Sequence, residues 1–549
     1  MYGARLNTPR GYRYKGRIEN KGHYAAVRSL VRGYCGYAFR NSRIRNELSS
    51  TFVVLERKFA PARHVVQGPG KKSLPVRSGC ARPVRSSDPW HEMDLLLVRI
   101  LSDEQDSRCL QRVDLNQRYG PLCKEEALWN WPVISVFSRE DIEAVLRRGS
   151  RYPLRPPQEI ISQYRQTRRD RYTNLGLVNE QGETWQKLRA ALTPELMGAN
   201  TVLGFFPALN QVSDDFINLI RVRRSGDDVT GFEEIAYRMG LESTCTLILG
   251  RHLGFLKPHS ATSLTTRLAE AVRIHFTASR DAFYGLPLWK ILPTLAYRQL
   301  IESEDAIYNI ISELLETTIN EQKEDARDER VEAVFQSILR EKNLDMRDKK
   351  AAIIDFIAAG IHTLGNTLVF LFYLIGRNSE VQKRLYEETA TLAPPGCDIA
   401  AEDLRNAKYL RACITEAFRV IPTVPCIARI LDESIELSGH NLDAGTVVLL
   451  HTWIAGLENE NFKDASQWIP ERWLKPMAPH SPLLVAPFGF GRRICPGKRF
   501  VEQALQLIVA KVVREFEIVS EEEINLQFEY IIAPKGPVSL TFRDRAETV

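Results

Sequence analysis

The feature that most constrains this chain is a glycine-rich run of ten residues from Phe488 to Gly497, which reads Phe-Gly-Phe-Gly-Arg-Arg-Ile-Cys-Pro-Gly. Glycines let a backbone approach a flat cofactor closely. Apolar residues recur at three- and four-residue spacing from Val501 onward, which predicts a helix whose positive end points at the Cys495 sulfur. Arg493 offers a planar fork that suits a carboxylate. The run therefore predicts a thiolate metal ligand, although an isolated cysteine is otherwise most often a buried free thiol.

The run resembles the signature of the cytochrome P-450 family, Phe-x-x-Gly-x-Arg-x-Cys-x-Gly, and matches it at every fixed position. The resemblance implies a mainly α-helical fold with minor β-sheets around a single buried haem b. It also implies that Cys495 is the axial thiolate of the haem iron, that Arg493 binds a haem propionate and that Phe488 contacts the haem. Because thiolate ligation favours cleavage of the O–O bond, the implied activity is a monooxygenase reaction.

Three more residues resemble family positions that bind the haem propionates. Trp185 and Arg189 lie four residues apart and would project side by side from a helix. On its own this spacing indicates only an amphipathic turn. The family's Trp-x-x-x-Arg helix implies that both side chains reach the propionates, and Arg429 resembles a third partner.

A Glu-x-x-Arg pair, Glu416 and Arg419, lies in an otherwise apolar helical segment. An exposed pair of this kind contributes little to stability, but a buried pair needs further partners. In the family the partner is an arginine of a later Pro-Glu-Arg segment, and the run Pro470-Glu471-Arg472 resembles it. The resemblance implies a structural lock on the thiolate side of the haem.

The run Ala359-Gly360-Ile361-His362-Thr363 resembles the family's oxygen-binding segment, Ala-Gly-x-Asp/Glu-Thr. The resemblance implies that the small residues make room for oxygen and that Thr363 helps deliver protons. Here His362 replaces the usual acid and Leu364 follows the threonine. Since histidine titrates near neutral pH, His362 is a candidate member of the proton relay; the alternative is that it faces away and fills a polar gap. The alternative for Thr363 is a hydroxyl bonded to its own helix.

Helical periodicity dominates the chain after residue 115. The predicted helices cover about 183–192, 200–222, 231–249, 301–323, 331–341, 346–376, 378–392, 406–421 and 497–515. Short strands are predicted at 133–137 and between 424 and 450. The apolar stretch 351–375 is about as long as a bilayer span, but internal polar residues favour a buried central helix.

Three regions divide the chain: a basic targeting or linker segment at 1–75, an unassigned segment at 76–114 and a haem-thiolate monooxygenase domain at 115–549. Residues 1–90 hold 19 of the 74 Lys and Arg residues but only 4 of the 68 Asp and Glu residues. This Arg-rich, acid-poor composition is typical of a mitochondrial transit peptide; a nucleic-acid-binding arm and a disordered tail are the alternatives. No nucleic-acid module is recognisable, and nine irregularly spaced cysteines suit a reducing compartment.

Segments at 152–157, 164–166, 170–172 and 176–182 resemble the mitochondrial branch of the family and, within it, members that hydroxylate ecdysone. The resemblance implies conversion of ecdysone to 20-hydroxyecdysone with O2 and electrons from an adrenodoxin-like ferredoxin and its NADPH reductase. It also implies peripheral contact with the matrix side of the inner membrane. Arg411 resembles one of two basic docking residues, Thr415 replaces the second, and Lys498 and Arg499 are further candidates.

Other functions remain open at this point. One alternative is a microsomal-type xenobiotic or lipid monooxygenase of the endoplasmic reticulum, which the lack of an apolar N-terminal anchor disfavours. Another is a haem-thiolate isomerase or dehydratase, which Thr363 disfavours. A non-catalytic haem- or sterol-binding protein is the alternative from a different class, and turnover with reduced ferredoxin distinguishes it from an enzyme.

Overall fold

The computed structural model describes residues 76–78, 116–117, 119–126, 132–258, 262–285, 287–324, 334–394, 397–474 and 483–545. The predicted targeting segment and nearly all of the unassigned segment therefore lie outside the described residues. The helices are α1 Arg139–Arg147, α2 Glu159–Thr167, α3 Gly176–Asn179, α4 Gly182–Leu192, α5 Pro194–Met197, α6 Ala199–Gly204, α7 Phe206–Arg223, α8 Phe232–Leu249, α9 Thr262–Tyr284, α10 Leu295–Glu324, α11 Val334–Arg340, α12 Met346–Arg377, α13 Ser379–Ala390, α14 Ala401–Asn406, α15 Lys408–Val420, α16 Thr452–Gly456 and α17 Lys498–Glu515. The strands are β1 Val76–Ser78, β2 Leu122–Glu126, β3 Val133–Val136, β4 Asp228–Thr230, β5 Ile427–Ile430, β6 Ile435–Leu437, β7 His440–Leu442, β8 Val447–Leu450, β9 Phe516–Val519, β10 Leu526–Phe528, β11 Ile532–Pro534 and β12 Ser539–Asp544.

The 32-residue helix α12 forms the centre of the core, as the apolar stretch predicted. Asp345 caps its first turn by accepting a hydrogen bond from the backbone N–H of Arg347. Helix α8 packs closely against it because Gly240 has no side chain: a Cβ there would lie 2.5 Å from the carbonyl oxygen of Ile361. Helix α12 has the length and hydropathy of a membrane span, but 72% of its apolar window is buried inside the protein, which agrees with a core helix.

The largest sheet is mixed and five-stranded, in the order β1-β2-β3-β8-β5. Strands β3 and β8 run parallel, with Val133 opposite Val447, and β5 pairs antiparallel with β8. An isolated bridge between Leu154 and Ile430 extends the β5 edge. A three-stranded sheet, β4-β12-β9, and two hairpins, β6-β7 and β10-β11, complete the described β-structure. The mainly helical fold with minor sheets is the predicted fold class.

One predicted helix is interrupted in the structure, and one long helix was not predicted. The single helix predicted over 200–222 is divided at Phe205, after which Pro207, which lacks a backbone N–H, occupies the first turn of α7. The 23-residue helix α9 was not predicted. Its buried positions include the small residues Ala271, Ala278 and Ala282, which give a weak hydrophobic periodicity.

Candidate functional site

The loop before Cys495 is a tight turn that presents the thiol at the start of helix α17. Gly489 and Gly491 have φ angles of 76° and 69°, a region that favours glycine. The backbone N–H of Cys495 donates to the carbonyl oxygen of Phe488 at 2.8 Å and closes the loop. The backbone N–H groups of Gly497 and Lys498 lower the pKa of the Cys495 thiol, and the N–H of Lys498 donates to the Cys495 carbonyl oxygen at 3.4 Å. This arrangement agrees with the sequence expectation of a helix start aimed at a thiolate.

Opposing influences act on the pKa of the Cys495 thiol. Burial raises the pKa, because a thiolate is poorly solvated inside the protein, whereas the two backbone N–H groups and the charge of Arg189 lower it. Burial prevails, so the pKa lies above its ordinary value. A bound iron would favour the thiolate further, since a coordinating thiol loses its proton. Among the described residues, no group of three or more His, Cys, Asp or Glu side chains is placed to hold a metal ion.

Arginine side chains from several segments gather beside this loop. Burial lowers the pKa of Arg493 to about 9, and the charges of Arg155, Arg429 and Arg189 lower it further in that order. The pKa of Arg429 falls to about 10 through burial and the charge of Arg155. Half-buried cations that repel one another in this way favour an anion between them. The cluster therefore fits the two carboxylates of a haem.

Backbone carbonyls and one aromatic ring hold Arg493 in position. Its Nε donates to the carbonyl oxygen of Pro153 at 3.0 Å and Nη2 donates to that of Glu180 at 2.8 Å. Its guanidinium carbon lies 4.0 Å from the centre of the buried Trp185 ring. Trp185, expected to contact a propionate, thus also supports the arginine of the cysteine loop.

The other predicted haem contacts lie around the same loop. Arg429 in β5 donates from Nη2 to the carbonyl oxygen of Phe490 at 3.0 Å. Arg189 in α4 lies near enough to influence both the Cys495 thiol and Arg493. Phe488 packs edge-on against Phe418 of α15, with 5.5 Å between ring centres. The structure thus brings Trp185, Arg189, Arg429, Phe488, Arg493 and Cys495 together; their contacts with a haem stay a prediction.

Thr363 lies on an accessible stripe of the otherwise buried helix α12. Ala359 is exposed and Gly360 and Thr363 are half-buried, whereas the neighbours Ile361 and His362 are buried. The Thr363 hydroxyl donates to the carbonyl oxygen of Ala359 at 2.6 Å, which is the bond to its own helix considered above. Its oxygen retains the capacity to accept a hydrogen bond, so a role in proton delivery stays a prediction.

His362 does not share the accessible stripe, and the structure speaks against a role in the proton relay. Its side chain is buried between α8 and α9, with its ring centre 4.2 Å from that of Tyr237. Its Nε2 is 2.8 Å from the carbonyl oxygen of Ala269, to which it donates. Burial lowers its pKa to about 4, so the ring is neutral at physiological pH. The expectation that it titrates near neutral pH is therefore wrong, and the alternative of a filled polar gap describes it.

The buried lock predicted around Glu416 is confirmed in detail. Both Glu416 oxygens accept hydrogen bonds from Arg419, at 2.7 and 2.9 Å, and neither side chain is exposed. Arg472 Nε and Trp473 Nε1 donate to the same carboxylate at 3.0 and 2.8 Å. Arg419 also donates to the carbonyl oxygen of Gly456, the last residue of α16, and to those of Ala465 and Gln467 in the loop that follows. The network fastens α15 to the segment that contains Pro470–Trp473.

The candidate docking residues differ in the exposure and hydrogen bonding of their side chains. Arg411 donates from Nη1 to the carbonyl oxygens of Leu404 and Arg405, each at 2.8 Å, so it holds the end of α14. Arg499 is exposed in the first turn of α17. Lys498 lies 3.8 Å from Glu502 in an exposed pair. The structure supports Arg499 and Lys498 as docking candidates more strongly than Arg411.

Sequence reasoning assigned no role to Arg155 or Gln181, although both lie in segments that carry the mitochondrial resemblance. The Gln181 side chain accepts from Arg493 Nη2 at 3.1 Å and bonds the backbone of Arg155. The available signal was an arginine between prolines in the run Tyr152-Pro-Leu-Arg-Pro-Pro157. No spacing rule connects that run to the cysteine loop more than 300 residues later.

Comparison of the chain with known protein families identifies the class of protein that the fold and the site define. A profile of the cytochrome P450 family matches residues 94–542, and the chain belongs to this family. This membership confirms the predicted enzyme class, a cytochrome P450 monooxygenase, and the family implies a haem iron with a thiolate ligand.

Three individual relatives indicate which branch of the family the chain resembles. Ecdysone 20-monooxygenase of Drosophila melanogaster is 45% identical over 446 residues, which cover 79% of this chain and 82% of the relative. Cytochrome P450 302a1, mitochondrial, from the same organism is 29% identical over 79% of this chain and 88% of its own length. The mitochondrial 1,25-dihydroxyvitamin D(3) 24-hydroxylase of Mus musculus is 26% identical over 79% of this chain and 83% of its own length. The predicted resemblance to the mitochondrial branch is confirmed.

Proposed function

We propose that the chain is a mitochondrial monooxygenase that converts ecdysone to 20-hydroxyecdysone. The observation that carries the substrate is the 45% identity, over most of both chains, with the fly ecdysone 20-monooxygenase. The mitochondrial relatives at lower identity support an adrenodoxin-like ferredoxin and its NADPH reductase as the electron source. O2 is the second substrate.

We further propose that the site binds haem b with Cys495 as the axial ligand. The N–H groups of Gly497 and Lys498 stabilise the thiolate, and Arg493, Arg429 and Arg189 provide the positive charge for the propionates. The Trp185 ring supports the Arg493 guanidinium, and Phe488, the first residue of the loop, packs against Phe418. When bound, the haem supplies activation of O2 and insertion of one oxygen atom into a C–H bond.

Thr363 is the residue we propose for proton delivery. Its own proton is donated to Ala359, so its oxygen can accept from an ordered water and align that water's second hydrogen. The small side chain of the exposed Ala359 leaves space one turn before it, whereas the missing side chain of Gly360 makes room for Thr244 of α8. Because His362 is neutral and engaged with Ala269, it leaves the relay to Thr363 and water.

The proposed ferredoxin surface comprises Lys498 and Arg499, with Arg411 at its edge. Lys498 and Arg499 belong to the first turn of the helix that follows Cys495, so an electron donor bound there is close to the thiolate. A small acidic partner fits exposed cations of this kind, and salt would weaken the association.

Exposed apolar residues support peripheral contact with the matrix side of the inner membrane. They lie between the end of α9 and the start of α10, and they are Phe283, Leu288, Ile291, Leu292 and Leu295, the last with 72% exposure. Lys290 lies among them and Arg298 follows. Apolar side chains flanked by cations are typical of a surface that rests on anionic lipid.

Turnover of the purified holoenzyme tests the function. Ecdysone, ferredoxin, its reductase and NADPH should give 20-hydroxyecdysone, identified by mass spectrometry against the authentic steroid. Turnover only with the microsomal reductase would favour the microsomal alternative, and steroid binding without NADPH consumption would favour a non-catalytic binding protein. For the location, a fluorescent fusion of residues 1–90 should enter mitochondria, and a reticular pattern would contradict the proposal.

A further inference from the structure

An arginine–aspartate pair lies at one end of the accessible stripe of α12. Asp355, Ala359 and Thr363 follow one another at four-residue spacing, so their side chains share one face of the helix. At 1.5 Å per residue, Asp355 lies about 12 Å along the helix from Thr363. Its side chain is 28% exposed, and its Oδ1 accepts from Nη2 of Arg165 in α2 at 2.5 Å. Asp355 is the only carboxylate in the apolar stretch 351–375.

Each member of this pair keeps one unused hydrogen-bonding atom. Nε of Arg165 is buried and has no hydrogen-bond partner among the residues that the structure describes. Oδ2 of Asp355 accepts no hydrogen bond from the described part of the chain either. The rest of the Arg165 guanidinium is held in place, since Nη1 donates to the carbonyl oxygen of Leu175 at 3.4 Å and the group lies 4.7 Å from the centre of the Tyr172 ring. A buried donor without a partner indicates a water molecule or a ligand.

Arg165 and Asp355 line a small cavity with room for about one water-sized group. Gly176 makes this space: its φ is 79°, and a Cβ there would collide with Nη1 of Arg165 and lie 3.1 Å from Oδ2 of Asp355. The second carboxylate that lines the cavity, Asp348, is already engaged by the backbone N–H of Thr173 at 2.8 Å and by its hydroxyl. Oδ2 of Asp355 is therefore the acceptor that remains available there.

The size and the polarity of this cavity fit a single hydroxyl group. A hydroxyl both donates and accepts, so it can donate to Oδ2 of Asp355 and accept from Nε of Arg165. An anion would be repelled by Asp355 and a cation by Arg165, which disfavours a charged group. Phe356 and Ala359 continue the accessible stripe with apolar side chains. Such a surface suits an apolar frame that carries hydroxyl groups, which describes a polyhydroxylated steroid.

We propose that Arg165 and Asp355 form a subsite for a hydroxyl group on the first ring of the steroid. The inference rests on the proposed function, which places the carbon to be hydroxylated near Thr363. Asp355 lies two helical turns from Thr363 on the same face, so it meets the end of the substrate that is remote from the reacting carbon. In ecdysone that end carries a pair of hydroxyl groups. A hydrogen bond there sets how far the steroid enters the site and therefore which carbon is presented for reaction.

Equilibrium binding of steroids to the full-length holoenzyme, followed by the change in its absorption spectrum, tests the subsite. Because hydrogen bonds to charged groups are strong, the unmodified enzyme should bind ecdysone about ten to a hundred times more tightly than an analogue that lacks the first-ring hydroxyls. Asp355→Leu should remove most of this preference. The preference for ecdysone over 25-deoxyecdysone, which differs at the opposite end of the steroid, should stay as it is in the unmodified enzyme.

Asp305→Asn is the matched control. Asp305 of α10 also accepts hydrogen bonds from arginines of the same segment, Arg168 at 2.5 Å and Arg171 at 2.6 Å, but it does not belong to α12. The variant loosens that segment without changing the subsite, so it should keep the preference for the first-ring hydroxyls. An Asp355 variant that keeps the preference as fully as this control does would overturn the inference and mean that the cavity holds only water.

Two further outcomes separate the inference from the proposed function. If the unmodified enzyme forms 20-hydroxyecdysone but binds ecdysone and the first-ring analogue equally, the subsite is wrong and the function stands; if it binds no ecdysone, both are wrong. Asp355→Leu also leaves the Arg165 cation buried without its anion. If that variant does not fold, Arg165→Met/Asp355→Leu decides instead, because replacing both partners by apolar groups is tolerated far better than removing one. A preference retained in this double variant would likewise overturn the inference.

Discussion

Replacing Glu416 by Gln should destabilise the protein strongly, because the carboxylate is the shared counter-charge of a buried network. Glu416 and Arg419 have no exposed side-chain surface, and Arg472 is only 10% exposed. In Glu416→Gln two cations lose their anion, and an amide NH2 group replaces an oxygen that accepted hydrogen bonds. Removing one member of a buried ion pair typically costs about 3–5 kcal/mol. The carbonyl oxygens that Arg419 retains favour the lower end, about 3 kcal/mol.

The assay is urea unfolding of the holoenzyme, followed by the loss of the carbon-monoxide band and by circular dichroism. Glu143→Gln is the matched control, because Glu143 pairs with Arg139 and Arg147 on the surface of α1. Arg147 is 65% exposed and Glu143 and Arg139 are partly exposed, so solvent screens these pairs and each contributes about 0–1 kcal/mol. Because unfolding of a protein this large is often irreversible, the comparison also needs inactivation rates at a fixed temperature.

Equal stability of the Glu416 and Glu143 variants would refute the reasoning, since it would mean that water or neighbouring carbonyls solvate the two arginines adequately. A second result is expected from Glu416→Asp, which keeps the charge but shortens the side chain. It should lose less stability than Glu416→Gln if charge dominates. If the two variants lose the same amount, the hydrogen-bond geometry rather than the charge is what stabilises the lock.

The other predictions concern the cofactor, the proton supply, the electron donor and pH. Cys495→Ala should abolish the red-shifted carbon-monoxide band and all turnover; a surviving band would disprove the ligand assignment. Thr363→Ala should keep haem and substrate binding but divert electrons from NADPH into peroxide. The measurement is the amount of hydroxylated product formed per NADPH consumed. Neutralising Lys498 and Arg499 should raise the apparent Michaelis constant for ferredoxin, most at low salt, and an unchanged constant excludes this surface. Because the pKa of His362 is lowered to about 4, stability should be complete above pH 6.5 and fall by up to about 3 kcal/mol as pH drops through 4. His362→Gln should flatten that dependence, as measured by urea unfolding at each pH.

The sequence predicted the elements whose signal is local. Helix α12 was expected at 346–376 and spans Met346–Arg377, because its long apolar stretch is visible in the sequence. The apolar surroundings of Glu416 and Arg419 predicted that this pair needs buried partners, and the family resemblance implied Arg472 as one of them. Helix α9 was missed because alanines such as Ala278 fill its buried face and give little contrast with its polar face.

The site was predictable only where one segment carries the whole pattern. The loop from Phe488 to Gly497 is such a segment. The orientation of His362 could not be predicted from one segment, because it depends on the packing of α8 and α9 against one face of α12. Arg155 is a further example: its partner Arg429 is identified by the bridge between Leu154 and Ile430, and no local pattern specifies such a long-range pairing.

The arginine cluster links the proposed cofactor to the stability of the fold. Arg155, Arg189, Arg429 and Arg493 come from four separate segments, and folding brings them together against their mutual repulsion. An anion that binds the folded chain and not the unfolded chain shifts the equilibrium toward folding by RT ln(1 + [L]/Kd). A dianionic haem is such a ligand. The repulsion that lowers the pKa of Arg493 should therefore make the haem-free protein less stable than the holoenzyme. Neutralising one arginine of the cluster should destabilise the holoenzyme more than the haem-free protein. Equal losses in both forms would mean that these arginines serve the fold and not the haem.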